Sequence, residues 1–299
     1  MIPTGTLPEV VLTLLVGFAL APLIGRYIAN VFSGRSSMWD PVVGRIERGL
    51  YALMGVDPHR SMDWKQYVRA LLLTDGSAIV FVFVLLQLQG GLPWNSFGAP
   101  DMSWHLALHT ASAFGTNTDF QHYVPESQLS EFSALFGLQT LMFLSPATGL
   151  SVFAAISRGF ARRDGRVGNY YVDLIRSLTR ILVPFTVIGA FLFVLLGVPE
   201  TLSQSAHLVP LVSGGSSSIP LGPVASWDSI EFLGTNGGGF FAANAAHPFQ
   251  NPTGATNFVA ILLMMAIPFS LPFAFARIVR RPGEVWPLVA TVLTIFLVS

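Results

Sequence analysis

Apolar residues run in long blocks along this chain, and polar residues gather between them. A helix crossing a bilayer needs about 20 mostly apolar residues. Six segments meet or approach that length: Leu7 to Ala29, Tyr67 to Leu88, Leu135 to Ser157, Ile181 to Val198, Asn257 to Phe275 and Val285 to Ser299. The sixth is the shortest and falls short of a full crossing. The pattern predicts an all-α integral membrane protein. Composition agrees: 52% of the 299 residues are hydrophobic and 11% are charged, against about 25% charged in soluble domains. Mean hydropathy is +0.60.

Lys and Arg set the expected orientation, because they accumulate in cytoplasmic loops. All sixteen fall into three blocks. The first runs from Arg26 to Arg69, the second from Arg158 to Arg180, and the third is Arg277, Arg280 and Arg281. The stretches 70–157 and 181–276 contain none. The N-terminus is therefore expected outside, with the basic blocks cytoplasmic and the connections 89–134 and 199–256 facing outward. Leu7 to Ala21 lacks the preceding basic residues of a signal peptide and reads as a retained first span. Net charge is zero and cysteine is absent, so nothing suggests nucleic acid, a disulfide framework or thiolate metal sites.

The two outward connections share a punctuation. The first reads Ser103-Trp104, an amphipathic stretch, then Phe114-Gly115-Thr116-Asn117-Thr118. The second reads Ser226-Trp227, a shorter stretch, then Leu233-Gly234-Thr235-Asn236-Gly237-Gly238-Gly239. Both run Ser-Trp, helix, Gly-Thr-Asn between two spans, which gives an internal repeat of membrane–pore–membrane units with re-entrant pore helices and filter loops. Non-helical backbone at membrane depth is tolerated only when buried in protein or lining a water-filled path. A short helix aiming its C-terminus at such a path favours a cation there. Glycines can take φ values that turn several carbonyls to one axis, and a ring of carbonyls can replace the hydration shell of potassium. The expected potassium filter is Thr116, Asn117 and Thr118 with Thr235, Asn236, Gly237, Gly238 and Gly239. In it the threonines add oxygen ligands, and the asparagines brace neighbouring strands. A phosphate-cradling loop would need a Lys-Ser/Thr ending and a flanking strand, which are missing here.

Gly234-Thr235-Asn236-Gly237-Gly238-Gly239-Phe240-Phe241, with Asn244, Ala246-His247-Pro248-Phe249 and Asn251-Pro252-Thr253 after it, closely resembles the second filter loop of the Kdp-type potassium-binding subunits. Thr116-Asn117-Thr118 resembles their first. Glu47-Arg48, Trp64-Lys65-Gln66-Tyr67 and Gly222-Pro223-Val224-Ala225-Ser226 fall where that family has similar stretches, so the likeness runs from end to end of the chain. It implies four membrane–pore–membrane repeats around a pseudo-fourfold pore, plus an extra first span. It also implies a subunit of the bacterial inner membrane that selects extracellular potassium and passes it to a P-type pump subunit. Small accessory membrane subunits would complete the complex. The chain itself has no Asp-Lys-Thr-Gly motif and no nucleotide loop; it is expected to bind potassium but no nucleotide, and to be non-hydrolytic.

On this reading the organisation is an extra span (1–30), a cytoplasmic segment (31–66), a first repeat (67–157), a cytoplasmic loop (158–173), a second repeat (174–276) and the start of a third (277–299). That is about half of the family's length. Two loops do not close a fourfold ring, so a C-terminal half or a second chain is expected to complete the filter. Asp119-Phe120 stands where the family pattern has Asn-Trp. Asp119 reads either as an acid that attracts cations or as a solvated loop carboxylate. His105 and His109 share a helix face at metal-ligand spacing but lack a third ligand, so no metal other than potassium is expected.

Asp75 lies inside the second span, where an ionisable group is a functional candidate by default; a protonated acid bonded to a neighbouring helix is the favoured reading. His247 is read as fixing its loop. Pro146, Pro184, Pro268 and Pro272 interrupt spans and are assigned no site. Trp39 to Pro58 reads as an interfacial helix contacting the pump subunit. Two other functions fit the same architecture: a passive potassium channel or symporter subunit, and a non-transporting remnant. A secondary transporter with broken helices usually has inverted repeats, whereas these two share one orientation.

Overall fold

An apolar segment facing hydrocarbon must pair its own backbone groups, and a helix does so within one segment. The computed structural model describes residues 7–35, 40–96, 98–162, 164–203, 205–208, 217–241 and 243–298. Trp39 and much of the Ser/Gly-rich stretch 203–225 lie outside the described residues. The described residues are mainly helical. In chain order they form α1 (Leu7–Phe32), α2 (Asp40–Leu53), α3 (Trp64–Gln87), α4 (Trp104–Gly115), the single turn α5 (Pro125–Gln128) and α6 (Gln139–Ala161). Then come α7 (Tyr170–Arg176), α8 (Val183–Leu195), α9 (Val224–Leu233), α10 (Gly254–Val279) and α11 (Val285–Val298). A π turn, Ser133–Leu138, leads into α6, and another, Ser177–Leu182, joins α7 to α8. Two short antiparallel ribbons complete the list, β1 (Met62–Asp63) with β2 (Arg166–Gly168) and β3 (Ser205–Leu208) with β4 (Ser217–Pro220).

Among the described residues, five helices are long and apolar enough to cross a membrane: Pro8–Phe32, Trp64–Gln87, Ser133–Ala161, Tyr170–Leu195 and Gly254–Val279. The all-α membrane class read from the sequence is what the fold shows. The fourth span differs most from expectation, beginning at Tyr170 rather than Ile181. Its first turns are held both by side-chain pairing of Asp173, Thr179 and Arg180 and by burial of Tyr170, Val172, Leu174 and Ile175.

The chain divides into two compact units. One comprises residues 1–73, 147–184 and 261–299; the other comprises 74–146 and 185–260. All sixteen Lys and Arg belong to the first. Its centre is Arg158, which meets Asp173 at both carboxylate oxygens (2.6 and 2.8 Å) and donates to the carbonyls of Phe32 (2.9 Å) and Val167 (3.1 Å). The Tyr67 hydroxyl shares its proton between the Ser151 carbonyl (2.7 Å) and Asp173 (3.0 Å). Five elements are thereby tied through one carboxylate that is 1% exposed. Gly168 sits at φ 109°, and any side chain there would run into the Arg158 guanidinium.

A second ionic lock fixes α2. Gly44, Glu47 and Tyr51 form its buried face. Glu47 takes Arg180 at 2.6 and 2.7 Å and also accepts from the Thr179 hydroxyl, while Asp40 takes the remaining Arg180 nitrogen at 2.7 Å. Tyr51 packs on Val172 and Ile175; burial beside Glu47 pushes its hydroxyl up to about 12. Within the stretch Trp39 to Pro58 the structure has a helix over Asp40–Leu53. Small residues let α1 approach α10, in the manner of membrane helix pairs. A Cβ on Gly25 would lie 2.6 Å from the Ser270 carbonyl oxygen, and Ala21 packs with Met265 and Phe269.

Removing one partner of a buried ion pair leaves an uncompensated charge, which costs about 3–5 kcal/mol. Asp173→Ala should therefore lower the melting temperature in detergent far more than Tyr67→Phe, which removes one hydrogen bond at about 1 kcal/mol. The double change Arg158→Met with Asp173→Leu should recover only part of that loss in the same melting assay, because the Phe32 and Val167 carbonyls lose their donor.

Candidate ion-binding loops

The second unit contains neither Lys nor Arg and holds eight acids: Asp75, Asp101, Asp119, Glu126, Glu131, Glu200, Asp228 and Glu231. The two candidate loops lie in this unit, at the C-terminal ends of α4 and α9.

Both helices end in the same cap. After α4 the Asn117 N–H donates to the Phe114 carbonyl and the Thr118 N–H to that of Ala113; after α9 the Thr235 N–H donates to Phe232 and the Asn236 N–H to Glu231. This is the Schellman pattern, whose residue beyond the cap is left-handed: Asn117 has φ 61° and Thr235 has φ 52°. The shared geometry therefore pairs Thr116-Asn117-Thr118-Asp119 with Gly234-Thr235-Asn236-Gly237. Sequence comparison sets Gly-Thr-Asn on Gly-Thr-Asn, one residue out of step. The cap, and not the letters, decides which residues correspond. Left-handed backbone continues at Asp119 (49°), Gly237 (101°), Gly238 (80°) and Gly239 (142°).

The loops touch. The Asn117 amide donates to the carbonyls of Gly234 (3.2 Å) and Thr235 (3.3 Å), and its own oxygen accepts from the Ser145 hydroxyl (2.9 Å). A Cβ on Gly237 would lie 3.5 Å from the Thr118 carbonyl oxygen, and one on Gly238 only 2.8 Å from that of Asp119. Gly238 is thus demanded twice, by its φ and by the close approach. Thr116, Thr118 and Thr235 are exposed and Gly237 and Gly238 half-exposed, whereas Asn236 and Gly239 are buried. The Thr116 hydroxyl donates to the Ser112 carbonyl (2.8 Å) and lies 3.3 Å from that of Thr118, and the Thr235 hydroxyl donates to Gly234 (2.8 Å).

Asn236 is held by a feature that sequence reading left without a role. Pro146 has no N–H to return to the Met142 carbonyl one turn earlier, so that oxygen needs another donor. The Asn236 amide supplies it at 3.1 Å. Pro184 does the same in the other unit: it cannot donate to the Arg180 carbonyl, which accepts from the Tyr27 hydroxyl at 2.6 Å. The outer support of the second loop is aromatic and amide. Trp227 packs edge-on to Phe240, and Phe241 stacks on His247 with ring centroids 4.0 Å apart. His247 Nδ1 accepts from the Phe249 N–H (3.2 Å), so it fixes the loop as the sequence suggests. Gln250 lies against Gly239 and donates to Asp228 (2.8 Å). Asn251-Pro252-Thr253 leads into α10, where Thr253 and Thr256 cap each other reciprocally in the manner of a capping box.

Asp119 departs from the reading as a solvated loop carboxylate. It is fully buried, and neither carboxyl oxygen has a hydrogen-bond partner among the described residues. Burial raises it to about 8, and the nearby Asn236 side chain offsets only part of that. Burial separates it from a solvated loop carboxylate and favours its protonated form. Asp228 and Glu231 were not singled out by sequence. Both are buried on α9, and desolvation raises both well above the ordinary carboxyl range, with Asp228 and Asp119 adding to Glu231. Their signal was an acid pair three residues apart in a short helix with no basic residue to meet them. His105 stacks on Trp104, and His109 packs on His122 at 4.5 Å; among the described residues no group of three or more His, Cys, Asp or Glu could hold a metal. Asp75 is half-buried on α3 and has an interaction partner.

Five spans and two loops capped onto short helices, the second of them glycine-rich, define a multi-span α-helical membrane protein. Residues 11–299 match the profile of the potassium-transporting ATPase A subunit, and the chain belongs to that family, KdpA. A potassium-transporting ATPase potassium-binding subunit from Nostoc sp. is 45% identical over 290 residues, covering 97% of this chain and 51% of that protein. Proteins of the same name from Pseudomonas entomophila and Gloeobacter violaceus are 41% and 42% identical, each covering 96% of this chain and 52% of the relative. The chain spans about half the length of these curated relatives.

Gly238→Ala places a side chain in a left-handed conformation against a backbone oxygen, and should cost about 1–3 kcal/mol in detergent melting. The folded Asp119 carboxyl is raised above its unfolded value, so its contribution is fully present below about pH 4 and is lost as pH rises toward 8. Asp119→Asn should stabilise the protein increasingly from pH 4 to 8 and by a constant amount above; a flat difference across that range would show an ionised or exposed Asp119.

Proposed function

We propose that the chain supplies part of a potassium-selective filter in an ATP-driven uptake complex, and that the ion passes onward to a P-type pump subunit. The observation that carries this is the pair of left-handed loops at two helix C-termini, bonded to each other through Asn117. Helix ends of this polarity favour a cation, and clustered carbonyls and hydroxyls can stand in for the hydration shell of potassium. The ligand set is drawn from the exposed edge: Thr116, Thr118, Thr235, Gly237 and Gly238. Asn117, Asn236 and Gly239 position that edge from behind, and Asp119 is a neutral packing partner rather than a charge.

The chain lies in the bacterial inner membrane with its N-terminus outside and the three basic blocks in the cytoplasm, as the distribution of Lys and Arg supports. The connections 89–134 and 199–256 then face the medium, where potassium is captured. The two loops form half of a fourfold coordination ring, and the family's remaining loops complete it. Partners are the P-type pump subunit and small accessory membrane subunits; the potassium-transporting ATPase name shared by the relatives supports this assembly.

The test is growth at limiting potassium in a bacterial strain lacking potassium uptake but retaining the pump and accessory subunits. Growth should return when this chain is expressed with the segment corresponding to the rest of its relatives, and should fall sharply with Gly238→Ala although the protein still reaches the membrane. Growth restored by this chain alone would overturn the half-ring reading. No growth even with the second segment supplied would argue for a non-transporting protein.

A further inference from the structure

Three spans of the first unit end around one cavity of about 460 Å³, and five arginines line it: Arg35 after α1, Arg158 and Arg162 at the end of α6, and Arg277 and Arg280 at the end of α10. No acidic residue lines it. Arg158 is spent on Asp173. Among the described residues no ion pair engages the other four, and all four are exposed. Four guanidinium groups gathered without a carboxylate repel one another. Helix C-termini compensate basic residues only in part, at typically 0.3–1 kcal/mol each.

The backbone adds an independent observation. Arg280 occupies the left-handed position beyond the cap of α10, at φ 59°, with its N–H on the Arg277 carbonyl and that of Arg281 on Ala276. Glycine is the ordinary residue at that point in the cap, and α1 uses one, Gly34 at φ 67°. An arginine there carries backbone strain, the kind of outlier that gathers at binding sites. The apolar part of the wall comes from Phe32, Ile278 and Val279, residues at the last turns of membrane-spanning helices.

We propose that this cavity binds the phosphodiester headgroup of an anionic membrane lipid. Guanidinium forks match phosphate oxygens in bidentate geometry, and basic pockets between membrane helices are suited to anionic headgroups. A headgroup seated there places its acyl chains against the apolar helix ends, whereas a soluble phosphate would leave that wall bare. An adjoining cavity of about 190 Å³ shares Arg158 and Arg162 and adds Arg60 and Arg176, so the basic surface continues beyond a single phosphate.

The experiment is native mass spectrometry of the full chain in detergent, titrated with phosphatidylglycerol, phosphatidylcholine or inorganic phosphate. One phosphatidylglycerol should be retained in preference to phosphatidylcholine. Each guanidinium near a phosphate contributes roughly fivefold to binding, so Arg162→Gln with Arg280→Gln should weaken retention about 30-fold. Lys65→Gln with Arg69→Gln, outside the cavity, should leave it unchanged. Arg280→Gly separates the two roles of that residue: it should raise the melting temperature by relieving the left-handed strain, yet weaken retention about fivefold. Equal retention of both lipids, or equal loss in the two double variants, would reduce the effect to diffuse surface charge and overturn the site. Displacement of the lipid by inorganic phosphate at equal concentration would assign the cavity to a soluble anion instead. None of these outcomes depends on potassium binding.

Discussion

A backbone carbonyl that its own helix cannot pair is the constraint around which this protein is arranged. In hydrocarbon such an oxygen has no water to turn to, and each one left bare is costly. Prolines create these oxygens inside spans, and the ends of short helices create them by their nature. The structure answers with side chains from other elements: Asn236 for Met142, Tyr27 for Arg180, Arg158 for Phe32 and Val167. Where the chain leaves helix altogether, at the two loops, the Schellman caps and the Asn117 amide do the same work. The oxygens that stay outward at the loop edge are thereby a small, defined set.

Charge is distributed with the same economy. Every Lys and Arg lies in one unit, and there Arg158 is matched to Asp173 and Arg180 to Asp40 and Glu47. The other unit has acids without bases, and it resolves the excess differently. Asp119, Asp228 and Glu231 are buried deeply enough that protonation is easier than ionisation, which follows from the high cost of an unpaired charge away from water. Neutral acids close to the loops preserve their packing without adding fixed charge beside them.

The spans were legible because hydropathy depends on composition over twenty residues and tolerates errors at the ends. The loops were legible because three consecutive glycines and two copies of Gly-Thr-Asn have few other uses. What escaped was pairing across distance. The start of the fourth span looked too polar to be membrane helix because Asp173, Thr179 and Arg180 each carry a partner more than a hundred residues away, and Asp173 a second one fifteen away. Asp119 looked solvated because nothing local says that α9 and the second loop cover it. The one-residue offset between the loops was hidden for a related reason: a helix cap is defined by hydrogen bonds, and identical letters can sit at different steps of it.

The bond between Asn236 and the Met142 carbonyl, left open by Pro146, has a consequence for how such a sequence can change. Replace the proline alone, and the helix regains its own donor while the amide loses its seat. Replace the asparagine alone, and the carbonyl is stranded in an apolar interior. Either step is penalised by itself, yet the two together approach an ordinary helix beside an ordinary apolar contact. Positions ninety residues apart are in this sense one heritable unit, and the most accessible mutational path between states with and without the brace passes through a deficit.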